Sequence, residues 1–216
     1  MRSIDPVALA FALALFALMP LLVVTTTSFL KISIVLSLVR NALGVQQAPP
    51  NMAIYALALL LSAFIMAPIG YKISDIVSEE KDPTASLKIL LAVTQKSAEP
   101  LREFLKVNSK QDQKNFFLST AKKIWPKSLS DVTTENDLLI LMPSFVVTEL
   151  TAAFEIGFLL FLPFVIIDLV ISNILMAMGM MMVSPITISL PLKLFLFVMV
   201  DGWSRLLHGL VQTYIR

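Results

Sequence analysis

The sequence LLFLPFVIIDLVISNILMAMGMMMVSPITISLPLKLFLFVMVDGW, residues 159–203, decides the fold of this chain. Two long apolar segments meet in it, and five of the seven residues from Met176 to Met182 are methionine. The connector is as apolar as the segments it joins, while the segments carry the charges of Asp168 and Lys193. A pair of ordinary spanning helices with a polar loop has the opposite pattern. The stretch therefore indicates that something other than lipid surrounds it.

The composition is that of a membrane-associated protein. Hydrophobic residues make up 57% of the chain and charged residues 15%, whereas soluble domains have roughly 45–50% and about 25%. The net charge of +2, without a basic run interleaved with aromatics, argues against a nucleic-acid partner. The chain has no cysteine, and its single histidine, His208, cannot form a histidine cluster. We expect no cofactor and no metal site.

The first third predicts a hairpin of two hydrophobic helices over residues 1–71. Pro6 to Leu30 carries no charge and exceeds the roughly 20 residues that cross a bilayer. A cleavable signal peptide is the alternative, but its apolar region has only about 7–15 residues, whereas apolar sequence here continues to Val39. Asn51 is a suitable N-cap for the second apolar stretch, Met52 to Ile69.

Hydroxyls and cations interrupt the first apolar run. The hydroxyls of Thr25 to Ser28 can donate hydrogen bonds to backbone carbonyls one turn back, so we expect a bend there. Lys31 and Arg40 follow, about half a helical circumference apart. Arg40 lies near a predicted helix end before Gly44, where a cation complements the helix dipole. Lys31 is expected to extend to an interface or to pair with an acid on a neighbouring chain.

The composition changes abruptly in residues 72–137. This segment holds 11 of the 17 Lys and Arg residues and 10 of the 15 Asp and Glu residues. It predicts a soluble domain of two or three short amphipathic helices, one of them with Leu101, Phe104 and Leu105 on its apolar face. Thr134-x-x-Asp137 resembles a capping box before the next helix. Residues 138–216 then predict a second hydrophobic hairpin around the methionine-rich loop.

Five charges interrupt the apolar sequence of this last segment. If all of them faced lipid at the bilayer centre, the cost would be roughly 12–17 kcal/mol. Several therefore face protein or water. These five charges are four acids and one base, so Lys31, Arg40 or partner chains are needed as complements. The candidate charge-pairing residues are Lys31, Arg40, Glu149, Glu155, Asp168, Lys193 and Asp201.

Several strings resemble the FliP/SctR family of type III secretion export-apparatus proteins, in order and at the expected spacing. They are TSFLKI at residues 27–32, RNALGVQQ at 40–47 with PPN at 49–51, MGMMM at 178–182, P-x-TISLP-x-K at 185–193, and DGW at 201–203. The resemblance covers both hydrophobic halves and implies an all-α membrane protein with two hydrophobic helical hairpins flanking a small soluble domain. The middle segment carries no family signature.

The resemblance implies an export gate of the bacterial inner membrane through which unfolded substrates pass. Family members form a pentameric helical ring with FliQ/SctS-type and FliR/SctT-type subunits, and associate with FlhB/SctU-type and FlhA/SctV-type proteins. The middle domain would be periplasmic. Orientation rests on the resemblance alone, because the loops show no Lys and Arg asymmetry that the positive-inside rule could use.

The methionine loop has two interpretations from its residues alone. Methionines fill irregular gaps between helices, and a flexible methionine ring can also seal around a passing chain and exclude ions. The resemblance favours a pore gasket at Met178, Met180, Met181 and Met182. Pro185 and Pro191 would keep the loop from closing into continuous helix.

Other functional classes stay open at this stage. A flagellar homologue fits the same motifs, but Ser184 stands where flagellar members tend to have a second proline, which favours an injectisome. A small ion or solute channel subunit would also carry charges in its membrane helices. An intramembrane hydrolase is disfavoured, since no serine lies in a Gly-x-Ser-x-Gly setting and the acids form no close pair. We expect no enzymatic activity.

Overall fold

A computed structural model describes residues 6–45, 48–79, 87–180 and 182–215. In these residues the secondary structure is entirely helical, which confirms the predicted all-α class. The helices are α1 (Pro6–Thr26), α2 (Phe29–Ala42), α3 (Asn51–Glu79), α4 (Leu87–Asn108), α5 (Gln111–Ile124), α6 (Lys127–Ser130), α7 (Leu138–Ala177), α8 (Pro185–Met199) and α9 (Gly202–Gln212).

Three of these helices, α1, α3 and α7, are long and apolar enough to cross a bilayer. Helices α8 and α9 form a fourth candidate span if they are taken together, with a bend of 61° at the break between them. These figures refer to the residues that the structure describes. The chain is a multi-pass membrane protein.

A run of threonines separates α1 from α2. The hydroxyls of Thr25, Thr26 and Thr27 each donate to the carbonyl four residues earlier, at 2.8, 2.7 and 2.5 Å. The backbone N–H of Phe29 then donates to the Thr27 hydroxyl at 3.3 Å. The side chains thus compete for backbone partners, as predicted. The result is an interruption of two residues rather than a bend in one helix.

Helix α2 ends as the sequence predicts, but α3 does not. Gly44 adopts a φ of +79° just after α2, a conformation that glycine reaches without steric cost. Helix α3 continues through Pro68 to Glu79, so the predicted end near Ile69 is wrong. The polar residues after Gly70 are compatible with a helix, and an internal proline removes a single backbone hydrogen bond.

Asn51 is the first residue of α3 and not its N-cap. The N–H groups of Ala53 and Ile54 donate to the Pro50 carbonyl, at 2.9 and 3.3 Å. The Asn51 carboxamide oxygen instead accepts a hydrogen bond from Arg40 Nη1 at 2.5 Å. A charged donor makes the stronger hydrogen bond, and the predicted capping role is therefore wrong.

The chain forms two compact units. The first comprises Met1–Leu30 and Ala63–Glu149, and the second Lys31–Ser62 and Leu150–Arg216. Helices α3 and α7 contribute residues to both. The sequence-based division into residues 1–71, 72–137 and 138–216 concerns which segments lie in the membrane, and it stays a prediction.

The first unit has a small apolar core between α4 and α7. Leu105, Leu141 and Phe145 are fully buried, and Leu101 and Phe104 pack against them. The rings of Phe104 and Phe145 lie 5.7 Å apart, centroid to centroid. The predicted apolar face of the amphipathic helix is thus buried against α7 of the same chain.

Asp137 stands directly before α7 and stabilises the turn that leads into it. Its carboxylate accepts a hydrogen bond from the backbone N–H of Thr134 at 2.8 Å, which is one half of the predicted capping box. We expect Asp137→Ala to lower the free energy of unfolding by about 1 kcal/mol. Thermal unfolding of the purified protein in mild detergent measures this. Asp131→Ala is the control, because Asp131 is exposed just after α6, and an equal loss in both variants would contradict the role of Asp137.

Candidate functional site

A short connector, residues 178–184, joins α7 to α8 and carries the predicted gasket. Helix α7 ends in two hydrogen bonds that close its last turn: Gly179 N–H donates to the Met176 carbonyl at 3.0 Å, and Met180 N–H to the Leu175 carbonyl at 2.9 Å. Gly179 has a φ of +71°. This is a Schellman termination, which needs a left-handed residue at that position. The glycine thereby ends the helix just before the remaining methionines.

The described methionines of the connector are exposed to different degrees. Met178 is 67% exposed, Met180 39% and Met182 99%. Met181 lies outside the described residues. Met178 and Met182 therefore do not fill gaps between helices of their own chain. Together with Met180 they are called the methionine tip.

The two prolines act differently. Pro185 is the first residue of α8, where its missing N–H leaves no helical hydrogen bond unmade. Pro191 lies inside α8, so the prediction that it shapes the loop is wrong. Ser189 and Lys193, on either side of the proline, are buried, and an internal proline removes one helical hydrogen bond without necessarily ending the helix.

Asp168 and Lys193 form an ion pair between α7 and α8. Lys193 Nζ lies 2.6 Å from Asp168 Oδ2, and it also donates to the Ala42 carbonyl at 3.3 Å. Lys193 is 5% exposed. Ala42 is the last residue of α2, where helical carbonyls lack a partner of their own. One ammonium group thus neutralises Asp168 and ties the end of α2 to α8.

Lys31 is buried against the end of the chain. Its ammonium lies 3.4 Å from the Thr213 hydroxyl and 4.1 Å from the centroid of the Tyr214 ring. Neither partner could be predicted from the sequence, because nothing in the local pattern links residues 182 positions apart. A cation over an aromatic face is stabilised by the ring quadrupole.

Arg40 donates hydrogen bonds across the turn between α2 and α3. Besides Asn51, its guanidinium reaches the Pro49 carbonyl at 3.3 Å. The predicted position near the helix end is confirmed, since Arg40 lies in the last turn of α2. Its donors bind the next segment of the same chain.

The three remaining predicted charges differ in their surroundings. Glu149 is 2% exposed, whereas Glu155 and Asp201 are exposed. Asp201 has a φ of 52° and stands between α8 and α9, where its carboxylate accepts a hydrogen bond from the Ser204 hydroxyl at 2.9 Å. Among the predicted charges, the structure brings Asp168 and Lys193 together as an ion pair. The candidate site is therefore the methionine connector with the α7–α8 pair beside it.

Comparison with models of protein families identifies the family of this chain. The model of the FliP family matches residues 12–210, which include the connector and both charged helices. The chain belongs to the FliP family. The family resemblance drawn from the motifs is confirmed, and the match also covers the middle segment, which carried no recognisable signature.

Relatives of this FliP-family chain cover nearly its full length. It is 51% identical to Yop proteins translocation protein R of Yersinia pestis over 97% of both chains. It is 49% identical to the probable translocation protein y4yL of Sinorhizobium fredii, over 99% of this chain and 97% of the relative. Virulence protein YscR of Salmonella typhimurium is 46% identical over 97% of both chains.

Proposed function

We propose that this protein is a core, pore-forming subunit of a type III secretion export gate. It passes unfolded proteins across the bacterial inner membrane and performs no chemical step of its own. Family membership supports the role in type III protein export. Relatives named for Yop translocation, harpin secretion and virulence support an injectisome over a flagellum.

The exposed methionine tip is the observation that carries the pore role. Met178, Met180 and Met182 project from a connector that α7 and α8 hold at both ends. An apolar tip of this kind is costly in water, so it is expected to be covered in the assembled gate. In a ring of copies, the tips would meet around a common axis and close it.

Methionine suits such a seal for a physical reason. Its side chain is unbranched, has three rotatable bonds and repacks at low cost, so a ring of methionines can adapt to substrate chains of varying sequence. A closed apolar constriction also expels water and thereby blocks ions. The methionine ring would then block ions at rest and let substrate chains pass during transport.

Apolar surface elsewhere supports an assembly with further chains. Phe158 is 62% exposed on α7, and Val198 is 71% exposed on α8. In the proposed gate these faces contact neighbouring copies in a pentamer, the FliQ/SctS-type and FliR/SctT-type subunits, or lipid. FlhB/SctU-type and FlhA/SctV-type proteins would associate with the assembly, and the middle domain would lie in the periplasm.

The gasket is tested by replacing Met180, Met181 and Met182 together with alanine in the complex with its partner subunits. Shorter side chains leave the constriction open, so we expect the resting ion conductance of the inner membrane to rise several-fold. Membrane conductance of cells and of reconstituted complex in planar bilayers measures the change. Native mass spectrometry shows whether the subunit composition is intact.

Met52→Ala is the matched control, because Met52 is an 82% exposed methionine at the start of α3 and is not part of the connector. It is expected to leave conductance unchanged. An assembled triple variant with the conductance of the wild type would contradict the gasket. If the purified chain conducted ions alone, without partner subunits, a channel subunit would be the better description.

A further inference from the structure

A groove in the second unit is not used by the proposed export role. It has a volume of about 480 Å³ and lies among α2, α7, α8 and α9. Its lining is apolar apart from Arg205 and Thr213, with Leu160, Phe164 and Leu206 among its walls. Pockets of about 300–1,000 Å³ hold small organic ligands. The groove is therefore large enough for a segment of an acyl chain.

Gly209 keeps one wall of this groove open. It lies inside α9 and lines the groove, and a Cβ added there would meet no atom within 4 Å. A glycine inside a helix is less favourable than alanine. Packing within the chain does not require the glycine, since the space is free. The missing side chain leaves room for something from outside.

Arg205 supplies the only charge on the groove. It is exposed on α9, and among the described residues its guanidinium has no hydrogen-bond or ion-pair partner. Asp201, one turn earlier, accepts a hydrogen bond from Ser204. Arginine remains charged in any membrane environment, so a group at the mouth of an apolar groove needs water or an anion.

We propose that this groove binds one anionic phospholipid, with an acyl chain along the apolar walls and the phosphate on Arg205. Guanidinium groups recognise phosphate by paired, charge-assisted hydrogen bonds. A neighbouring protein's apolar side chain would fill the walls but leave Arg205 without an anion. Free phosphate would satisfy Arg205 but leave the apolar walls uncovered. An anionic amphiphile satisfies both parts, and this inference does not depend on the export role.

Native mass spectrometry of the complex, extracted from bacterial membranes in mild detergent, tests the proposal. We expect at least one phosphatidylglycerol or cardiolipin molecule retained per copy of this chain. Arg205→Gln should lower the retained anionic lipid roughly fivefold, while Arg205→Lys should retain most of it. Gly209→Leu should remove bound lipid of either charge, because the new side chain occupies the groove.

Gly70→Leu is the matched steric control. It adds the same side chain to another helical glycine whose Cβ would meet nothing within 4 Å, and it should leave lipid retention unchanged. If Gly209→Leu reduces the yield of complex, Gly209→Ala replaces it, with a partial loss of lipid expected.

Three outcomes would overturn the lipid site. The first is a wild-type complex without phospholipid, and the second is unchanged anionic lipid in Arg205→Gln. The third is a Gly209→Leu complex that keeps its lipid but loses subunits, which would identify the groove as a contact between protein chains.

Discussion

Asp168→Leu should destabilise the protein by about 3 kcal/mol, because it leaves the Lys193 ammonium buried with only the Ala42 carbonyl as a partner. Removing one member of a buried ion pair costs roughly 3–5 kcal/mol. The lower end applies, since the side chain of Asp168 is 39% exposed while that of Lys193 is 6% exposed. For a chain of this size the melting temperature should fall by about 6–12 °C.

The reverse variant, Lys193→Met, should cost less. It leaves the carboxylate of Asp168, which is partly exposed and can reach water or a partner chain. The double variant Asp168→Leu/Lys193→Met should recover to within about 1 kcal/mol of the wild type, because apolar residues of similar size replace buried ion pairs at little cost. Thermal unfolding of the four proteins, followed by circular dichroism in detergent, gives the coupling energy.

An exposed ion pair provides the comparison. Arg102 and Glu99 pair on α4, with side chains 35% and 62% exposed, and Arg102→Gln should cost less than about 1 kcal/mol. If the double variant at Asp168 and Lys193 lost as much as the two single variants added together, the ion pair would not be what holds α7 to α8. If the double variant Asp168→Leu/Lys193→Met still supports secretion, the two charges are needed for the stability of the protein and not for transport itself.

Local patterns in the sequence predicted the local structure well. The threonine hydroxyls after α1, the left-handed Gly44 after α2 and the Asp137 hydrogen bond before α7 each depend on residues a few positions apart. Propensity and hydrogen-bond capacity over that range are set by the residues themselves. The ends of α3 and α8 were less predictable, because Pro68 and Pro191 are tolerated where neighbouring residues favour the helix.

Partners across the fold could not be predicted in the same way. Asp168 and Lys193 are on two helices joined by a connector. The sequence gives the length of this connector but not its conformation, so it does not show which residues of the two helices face each other. The Ala42 carbonyl that binds Lys193 is a backbone group with no sequence signal. Ser189 is buried one turn before Lys193. The i, i+4 spacing of the two residues could have predicted that they share one face of α8.

In the motif Asp201-Gly202-Trp203, a close contact with the Phe197 ring explains why position 202 is glycine. Asp201 adopts a left-handed conformation at the 61° bend between α8 and α9. Gly202 is thereby brought against Phe197, and a Cβ added to Gly202 would lie 2.5 Å from Cδ2 and 2.7 Å from Cζ of that ring. The ring cannot easily move, because Trp203 packs edge-on against it at 5.3 Å and Phe164 lies 6.3 Å away on another side.

Gly202→Ala should therefore destabilise the protein by about 2–3 kcal/mol, since overpacking a buried site typically costs about 1–3 kcal/mol. The melting temperature measures the loss. Gly70→Ala is the control, because its new methyl group meets nothing and alanine is the better helix former. In a Phe197→Leu background the ring is gone, so the additional cost of Gly202→Ala should fall below about 1 kcal/mol. The same cost in both backgrounds would mean that backbone conformation, and not the aromatic contact, requires glycine at position 202.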